Sequence, residues 1–252
     1  MAGEKKPRVK LVRLLVLFGL AFLLLWGLSP AARNVILWYS ARDIARETPQ
    51  VAVVPQPLTN LALVDLSGGT ATGQFGYTAR LPWNKVSARR DFKSAISIGF
   101  DGGAGALLMN PADATNGLDM YRGSAQQEAA ARKLLGDKAF QSRFDFFATE
   151  LQASPADMGL LHSRARNARA MMLLGLKGME VSKGTTTIYP VSSSSVRGFQ
   201  IGDPRTTPQL VRLILFDQKD RKIEIILHGP KTGPGLTQEQ VNGIVASVQT
   251  PA

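Results

Sequence analysis

Leu14 to Leu28 reads LLVLFGLAFLLLWGL, fifteen residues without a charge behind a tract rich in lysine and arginine. Such a run has no polar side to turn to water, so it must lie in lipid or deep in a core. As a helix it rises about 22 Å, short of a hydrocarbon core of about 30 Å. Leu11, Val12, Ser29, Pro30 and Ala31 lengthen it, and Arg13 near one end can snorkel. Lys5, Lys6, Arg8, Lys10 and Arg13 precede it and direct the N-terminus to the cytoplasm. Trp26, Trp38 and Tyr39 are suited to the far interface. The expectation is a basic cytoplasmic tail over 1–13 and a transmembrane signal-anchor over 14–32. The lipid bilayer is thus the first partner, and the bulk of the chain is exported across a bacterial inner (cytoplasmic) membrane. The alternative is a cleaved signal peptide, with Ser29-Pro30-Ala31 as a small-x-small site, leaving a secreted or periplasmic domain. The lack of any Asn-x-Ser/Thr sequon favours a bacterial periplasm over a secretory lumen.

The net charge of +11 divides at this segment. Residues 1–33 hold six Lys or Arg against Glu4, a net +5 that topology alone accounts for. The chain has no cysteine, which excludes a disulfide scaffold, a cysteine nucleophile and a thiolate metal site. Two histidines, His162 and His228, exclude a multi-histidine metal centre. A hydrophobic fraction of 44% suffices for a packed core.

Asn34 to Glu47 reads as a juxtamembrane helix ending before Thr48-Pro49. Val51 to Pro57 reads as an extended linker, so residues 33–60 connect the anchor to an exported domain over 61–252. Tyr77, Ala79, Leu81 and Trp83 alternate, as do Ile96, Ile98 and Phe100. Asp101-Gly102-Gly103 supplies a hairpin turn, and Ala106 to Met109 returns. Ser124 with Gln127 then starts a helix that Gly136 stops. Phe140, Phe144, Phe147 and Leu151 form a second helical stripe. A third helical stretch starts at Ser154-Pro155-Ala-Asp157 and runs to about Leu176, with a break near Gly159. Strands follow over Thr185–Val191, Val196–Ile201, Leu210–Phe216 and Lys222–His228. Thr237 and Gln240 cap a last helix that buries Val241, Ile244, Val245 and Val248. Strands segregated from helices predict an α+β fold, a twisted antiparallel sheet covered by helices.

The segments GYTARLPW at 76–83, the glycine hairpin at 101–105, GFQIGDP at 198–204, the strand pair ending at His228 and the terminal helix carry a family resemblance. Over roughly residues 60–250 the order resembles the fold of the Mog1 protein and the PsbP photosystem subunit. The resemblance implies an antiparallel sheet between helical layers, and a binding or assembly accessory rather than a catalyst. It carries no site residue across.

No Gly-x-Ser-x-Gly elbow and no Ser-x-x-Lys frame is present. His228 ends a strand before Gly229-Pro230, where catalytic histidines and ordinary half-exposed ones both sit. The glycine-rich segments at 67–70, 102–105 and 228–235 read as turns rather than phosphate cradles. Asp217 and Asp220 shape a turn. What remains is a basic face: His162, Arg166, Arg169 and Lys177 fall on one side of the third helical stretch at about 100° per residue. Arg89, Arg90 and Lys93 form a second basic group, read as a loop before a strand. Beside a bilayer such faces suit anionic headgroups or an envelope protein partner, while a solvated helix face is the plain alternative. Export and the lack of interleaved aromatics argue against nucleic acid. The expectation is a membrane-anchored, non-catalytic binding or assembly accessory without cofactor or metal. The alternatives are a small-molecule-binding domain or periplasmic hydrolase resting on His228, and a purely structural tether.

Overall fold

The computed structural model describes residues 29–54, 64–114 and 116–251. The expected cytoplasmic tail and the apolar run over 14–28 lie outside the described residues, as do residues 55–57 of the expected linker. Among the described residues no helix is long and apolar enough to cross a membrane.

The chain is α+β, with a large antiparallel sheet flanked by helices. Helix α1 (Pro30–Glu47) opens with Ser29, whose hydroxyl accepts the Ala32 N–H. Residues 30–32, counted above with the membrane segment, belong to this helix, and Ala32 is buried. A two-stranded ribbon follows, β1 (Thr70–Gln74) with β2 (Tyr77–Leu81). Next come β3 (Val86–Asp91), β4 (Ala95–Phe100) and β5 (Gly105–Met109). Gly102 and Gly103, at φ 76° and 80°, make the turn before β5, a conformation that glycine adopts without strain. The strand alternation at Tyr77 and Ala95 holds, whereas β1 and β3 were not anticipated: the basic group at Arg89 and Arg90 is a strand rather than a loop.

The helical block comprises α2 (Gly117–Tyr121), α3 (Ala125–Leu135), α4 (Arg143–Leu151) and α5 (Arg164–Glu180). Ser124 caps α3 through the Gln127 N–H, and Gly136 ends it at φ 89°. Phe140 lies in a separate 3-10 turn, because Ser142 caps a new helix at Arg143. The start signal at Ser154 forms a capping box but only one 3-10 turn, and α5 begins later, behind Ser163. Strands β6 (Ile188–Ser192), β7 (Val196–Ile201), β8 (Leu210–Asp217) and β9 (Lys222–His228) return before α6 (Gln238–Ser247). The capping box of Thr237 and Gln240 forms as expected, and all four apolar residues assigned to this last helix are buried.

The main sheet runs β3-β4-β5-β9-β8-β7-β6, with each neighbouring pair antiparallel. One face carries Ile96, Ala106, Leu213, Leu215, Ile223 and Ile225 against α6 and the β1–β2 ribbon. The other face carries Phe199, Ile201, Ile214 and Phe216 against Phe147 and Leu151 of α4. Phe144 stacks on Phe199 with ring centroids 5.6 Å apart.

The segment read as a connector docks on the domain. Asn167 Nδ2 donates to Asn34 Oδ1 at 2.9 Å, and Asn34 Nδ2 donates to the His162 carbonyl. Thr48 donates to the Leu174 carbonyl, Val51 is buried among Phe147 and Val181, and the Val54 N–H donates to the Ile188 carbonyl. Residues 30–54 thus pack on the body whose start the sequence placed near Leu61. Their polar groups find partners that only the folded helical block and β6 supply.

Candidate functional site

Helix α4 is fixed at both sides of its first turn. Asp220, in the β8–β9 turn, accepts the N–H groups of Arg143 and Phe144 at 2.6 and 3.3 Å. The Arg143 guanidinium pairs with Asp119 of α2 at 3.0 Å. This clamp places the end of α4 over the middle of the sheet, where α2, α5, β8 and β9 line an open cavity of about 310 Å³.

The cavity wall is ionic on the sheet side. Arg212 of β8 reaches Glu180 Oε2 at 2.7 Å and Glu224 Oε1 at 2.6 Å. Lys222 of β9 reaches Glu180 Oε1 at 2.9 Å and Glu224 at 3.9 Å. Burial pulls the Arg212 guanidinium towards neutrality, but its bonds to Glu224 and Glu180 outweigh this and hold the proton more tightly. The arrangement is two cations and two carboxylates that satisfy one another.

Glu150 of α4 stands apart from that exchange. Its residue exposure is 1%, it lines the same cavity, and its Oε1 is buried without a hydrogen-bond partner. Burial raises its pKa to about 8, and the Glu180 carboxylate pushes in the same direction; Lys222, Arg212 and Lys177 pull against them. The close approach of α2 requires a glycine. A Cβ on Gly117 would meet Phe146 Cε1 at 2.7 Å and Glu150 Oε2 at 3.3 Å. Met109, Met120, Met179 and Leu176 supply the apolar part of the wall. Glu150 is legible in the sequence after the fact, because it lies four residues after Phe146 and three after Phe147, on the buried stripe of α4.

The four residues of the expected basic face are not one surface. Arg166 and Arg169 are exposed and line an open groove of about 380 Å³ with Asp157 and Thr149. His162 is half-buried, and its Nδ1 lies 3.0 Å from the Asp157 carbonyl oxygen. Lys177 departs from the expectation: it is buried, and its Nζ donates to the Val51 and Ala153 carbonyls at 2.7 and 2.8 Å. Burial lowers its pKa, and Asp157 and Glu150 oppose the change. Lys177 therefore ties the post-α1 segment to the helical block rather than facing solvent. Its place beside Leu173 and Leu174, both buried, is the physical reason.

His228 is exposed at the end of β9, in register with Gly105 on one side and Leu210 on the other. Asp217 and Asp220 do shape their turn: the Asp217 carboxylate accepts the Lys219 and Arg221 N–H groups and pairs with the Arg221 side chain at 2.7 Å. Asp220 adds the capping role on α4 that sequence reasoning missed. Among the described residues no group of three or more His, Cys, Asp or Glu side chains is arranged to hold a metal ion.

One further feature is geometric rather than ionic. Strand β3 forms an edge of the main sheet and its six residues are all exposed. Val86 and Phe92 at its ends are 46% and 53% exposed. At the opposite edge, β6 carries Pro190 and bridges Val53. No family model, no curated protein and no solved structure matches this chain.

Proposed function

We propose that the chain is a membrane-anchored, non-catalytic accessory whose exported domain binds a protein partner by adding a strand of that partner to β3. The observation that carries this reading is the all-exposed edge strand Val86–Asp91. An open edge presents unpaired N–H and C=O groups, and sheet proteins usually cover or shorten it. The hairpin closes with the Phe92 N–H donating to the Ala95 carbonyl, and Arg90 lies opposite Ser97. Bonded and non-bonded pairs alternate along an antiparallel ladder, so Arg89 and Asp91 turn their backbone groups outward. An added strand would bond to those groups. Lys85, Arg89, Arg90 and Lys93 outnumber Asp91 there, which suits an acidic partner segment.

The apolar run over 14–28, with its basic flank, supports an anchor in a bacterial inner membrane with the domain on the exported side. The antiparallel sheet with helices on both faces is what a Mog1/PsbP-like domain would need, and accessory roles are usual for that family.

The test is a tagged pull-down from native membranes solubilised in mild detergent, with stoichiometry by mass spectrometry, comparing the native chain with Arg89→Pro. Proline removes an outward N–H without touching the ladder to β4. A partner recovered near one-to-one with the native chain and lost with Arg89→Pro supports strand addition. Recovery of the chain alone, or equal recovery with both forms, overturns it.

A further inference from the structure

The turn before α5 carries apolar residues where turns usually carry polar ones. The His162 N–H donates to the Gly159 carbonyl at 3.0 Å, which closes a turn with Leu160 and Leu161 at its corners. Such corners favour Gly, Pro, Asn, Asp and Ser. Leu161 is 98% exposed and Leu160 50%. The turn is fastened from behind. The Asn167 side chain accepts the Gly159 N–H at 3.1 Å and donates to the Gly159 carbonyl at 3.0 Å. It also donates to Asn34, whose own amide donates to the His162 carbonyl. Asn34 fixes where the turn sits. The apolar run ends at Leu28, just before the Ser29 cap of α1, and only about 8 Å of helix rise separates Ser29 from Asn34. Helices α1 and α5 run parallel: Asn34 meets Asn167 near their starts, Thr48 meets Leu174 further on, and Glu47 pairs with Lys183 past the end of α5. Both N-termini and the turn therefore lie at the end of the domain from which the apolar run departs. Arg33, Arg164, Arg166 and Arg169 are exposed at this end and are in none of the ion pairs among the described residues. Asp157, the acid beside Arg166 and Arg169, accepts the Ser154 N–H. The first turns of α2, α3, α4 and α6 each hold an acidic residue, whereas those of α1 and α5 hold none. Arginine in a first turn meets the positive end of the helix dipole and weakens the helix slightly, so these charges do not serve the helices themselves.

We propose that this end of the domain is a second membrane contact, in which Leu160 and Leu161 enter the bilayer interface and the four arginines pair with anionic lipid phosphates around them. Apolar side chains ringed by basic ones are the pattern of interfacial binding. Two leucines and a few arginines hold a free protein only weakly. A chain already tethered at Leu28 needs no more, because the second contact forms at high effective concentration. The result is a domain set on the bilayer by the N-terminal ends of α1 and α5, with one orientation rather than a free swing about its connector. The inference rests on the anchored reading of the run over 14–28, and not on strand addition at β3.

The chain has no cysteine, so Leu161→Cys supplies a single labelling site. The experiment places the full chain, labelled there with an environment-sensitive fluorophore, in vesicles of phosphatidylcholine with phosphatidylglycerol. Lys183→Cys, exposed past the far end of α5, is the reference site. A lipid-borne nitroxide should quench the label at 161 about two-fold or more beyond the label at 183. Combining Arg164→Glu, Arg166→Glu and Arg169→Glu should remove most of that excess. Vesicles of phosphatidylcholine alone should do the same with the native arginines in place, which covers the case of a poorly folded variant. Equal quenching at 161 and 183 overturns the proposal, as does an excess that survives both the charge reversal and the neutral vesicles. A blue-shifted label at 161 that the nitroxide does not quench means that the turn meets protein, a partner or a second copy, and also overturns it. A carbonate wash separates this inference from the anchored reading. A chain that stays with the vesicles but shows no excess quenching at 161 leaves the anchor standing; a chain stripped from them removes both.

Discussion

The two faces of the main sheet are made from alternate residues of the same strands, and they are built on different principles. Val211, Leu213 and Leu215 of β8 point to the face under α6, with Ile223, Ile225 and Leu227 of β9 beside them. Arg212, Ile214 and Phe216 point the other way, with Lys222 and Glu224. The first face is held by apolar burial, which is non-directional and tolerant of small shifts. The second is aromatic towards β7 and ionic towards β5, and its stability depends on every charge having its partner in place. A dry apolar face under one helix leaves no polar group to serve a ligand. The opposite face instead buries Glu150, which is in none of the ion pairs among the described residues and whose pKa burial raises to about 8.

The largest effect expected comes from breaking the ionic face. Lys222→Met leaves Glu180 and Glu224 sharing Arg212 alone, and should cost about 3–5 kcal/mol in urea denaturation. A double-mutant cycle with Glu180→Gln should recover much of that loss; strict additivity would show that the two faces do not differ in kind. On the apolar face, Leu213→Ala should cost about 3 kcal/mol through lost burial and a cavity, with little dependence on pH.

Glu150→Gln should act in the opposite direction. The folded protein raises the Glu150 pKa from 4.5 to about 8, so the native state holds a proton that the unfolded chain releases. This contribution to stability is complete below pH 4.5 and is lost as pH rises through about 8. The variant should therefore be the more stable form at pH 8.5, by about 1–3 kcal/mol, the range for a buried group left unsatisfied. The gap should close at pH 4. Denaturation curves of both forms at the two pH values check this, and a constant difference would contradict it. The smallest effect is expected at the solvent: Arg166→Glu with Arg169→Glu should move stability by no more than about 0.5 kcal/mol, as for exposed positions generally. A larger loss would mean that the groove they line is part of the fold.

Much of the fold was legible because local chemistry and final structure agree. The bounds of β4 follow from alternation, those of β7 and β9 from the serine run and the Asp217–Asp220 turn beside them, and the caps at Ser124, Gly136 and Thr237 from backbone groups that need partners. Strand β3 was missed because SARRD has no covered face and so no alternation to read. The connector reading of α1 failed for a related reason: Asn34, Thr48 and the Val51 carbonyl are bound by Asn167, Leu174 and Lys177, more than a hundred residues away.

The site was less legible. At 100° per residue, His162, Arg166, Arg169 and Lys177 share a side of one helix, but periodicity reports angle and not what packs there. The burial of Lys177 depends on the segments that follow α1 and α4, which meet α5 only after folding. The sequence by itself determined an apolar N-terminal run behind a basic tail, the helix caps and which strand positions share a face, since each depends on residues within a few positions of one another. Only the tertiary structure decided that Arg212, Lys222 and Glu224 face a buried layer rather than water, and that Glu150 meets them there. Burial and charge pairing are properties of neighbours brought together across the chain, and no local spacing encodes them.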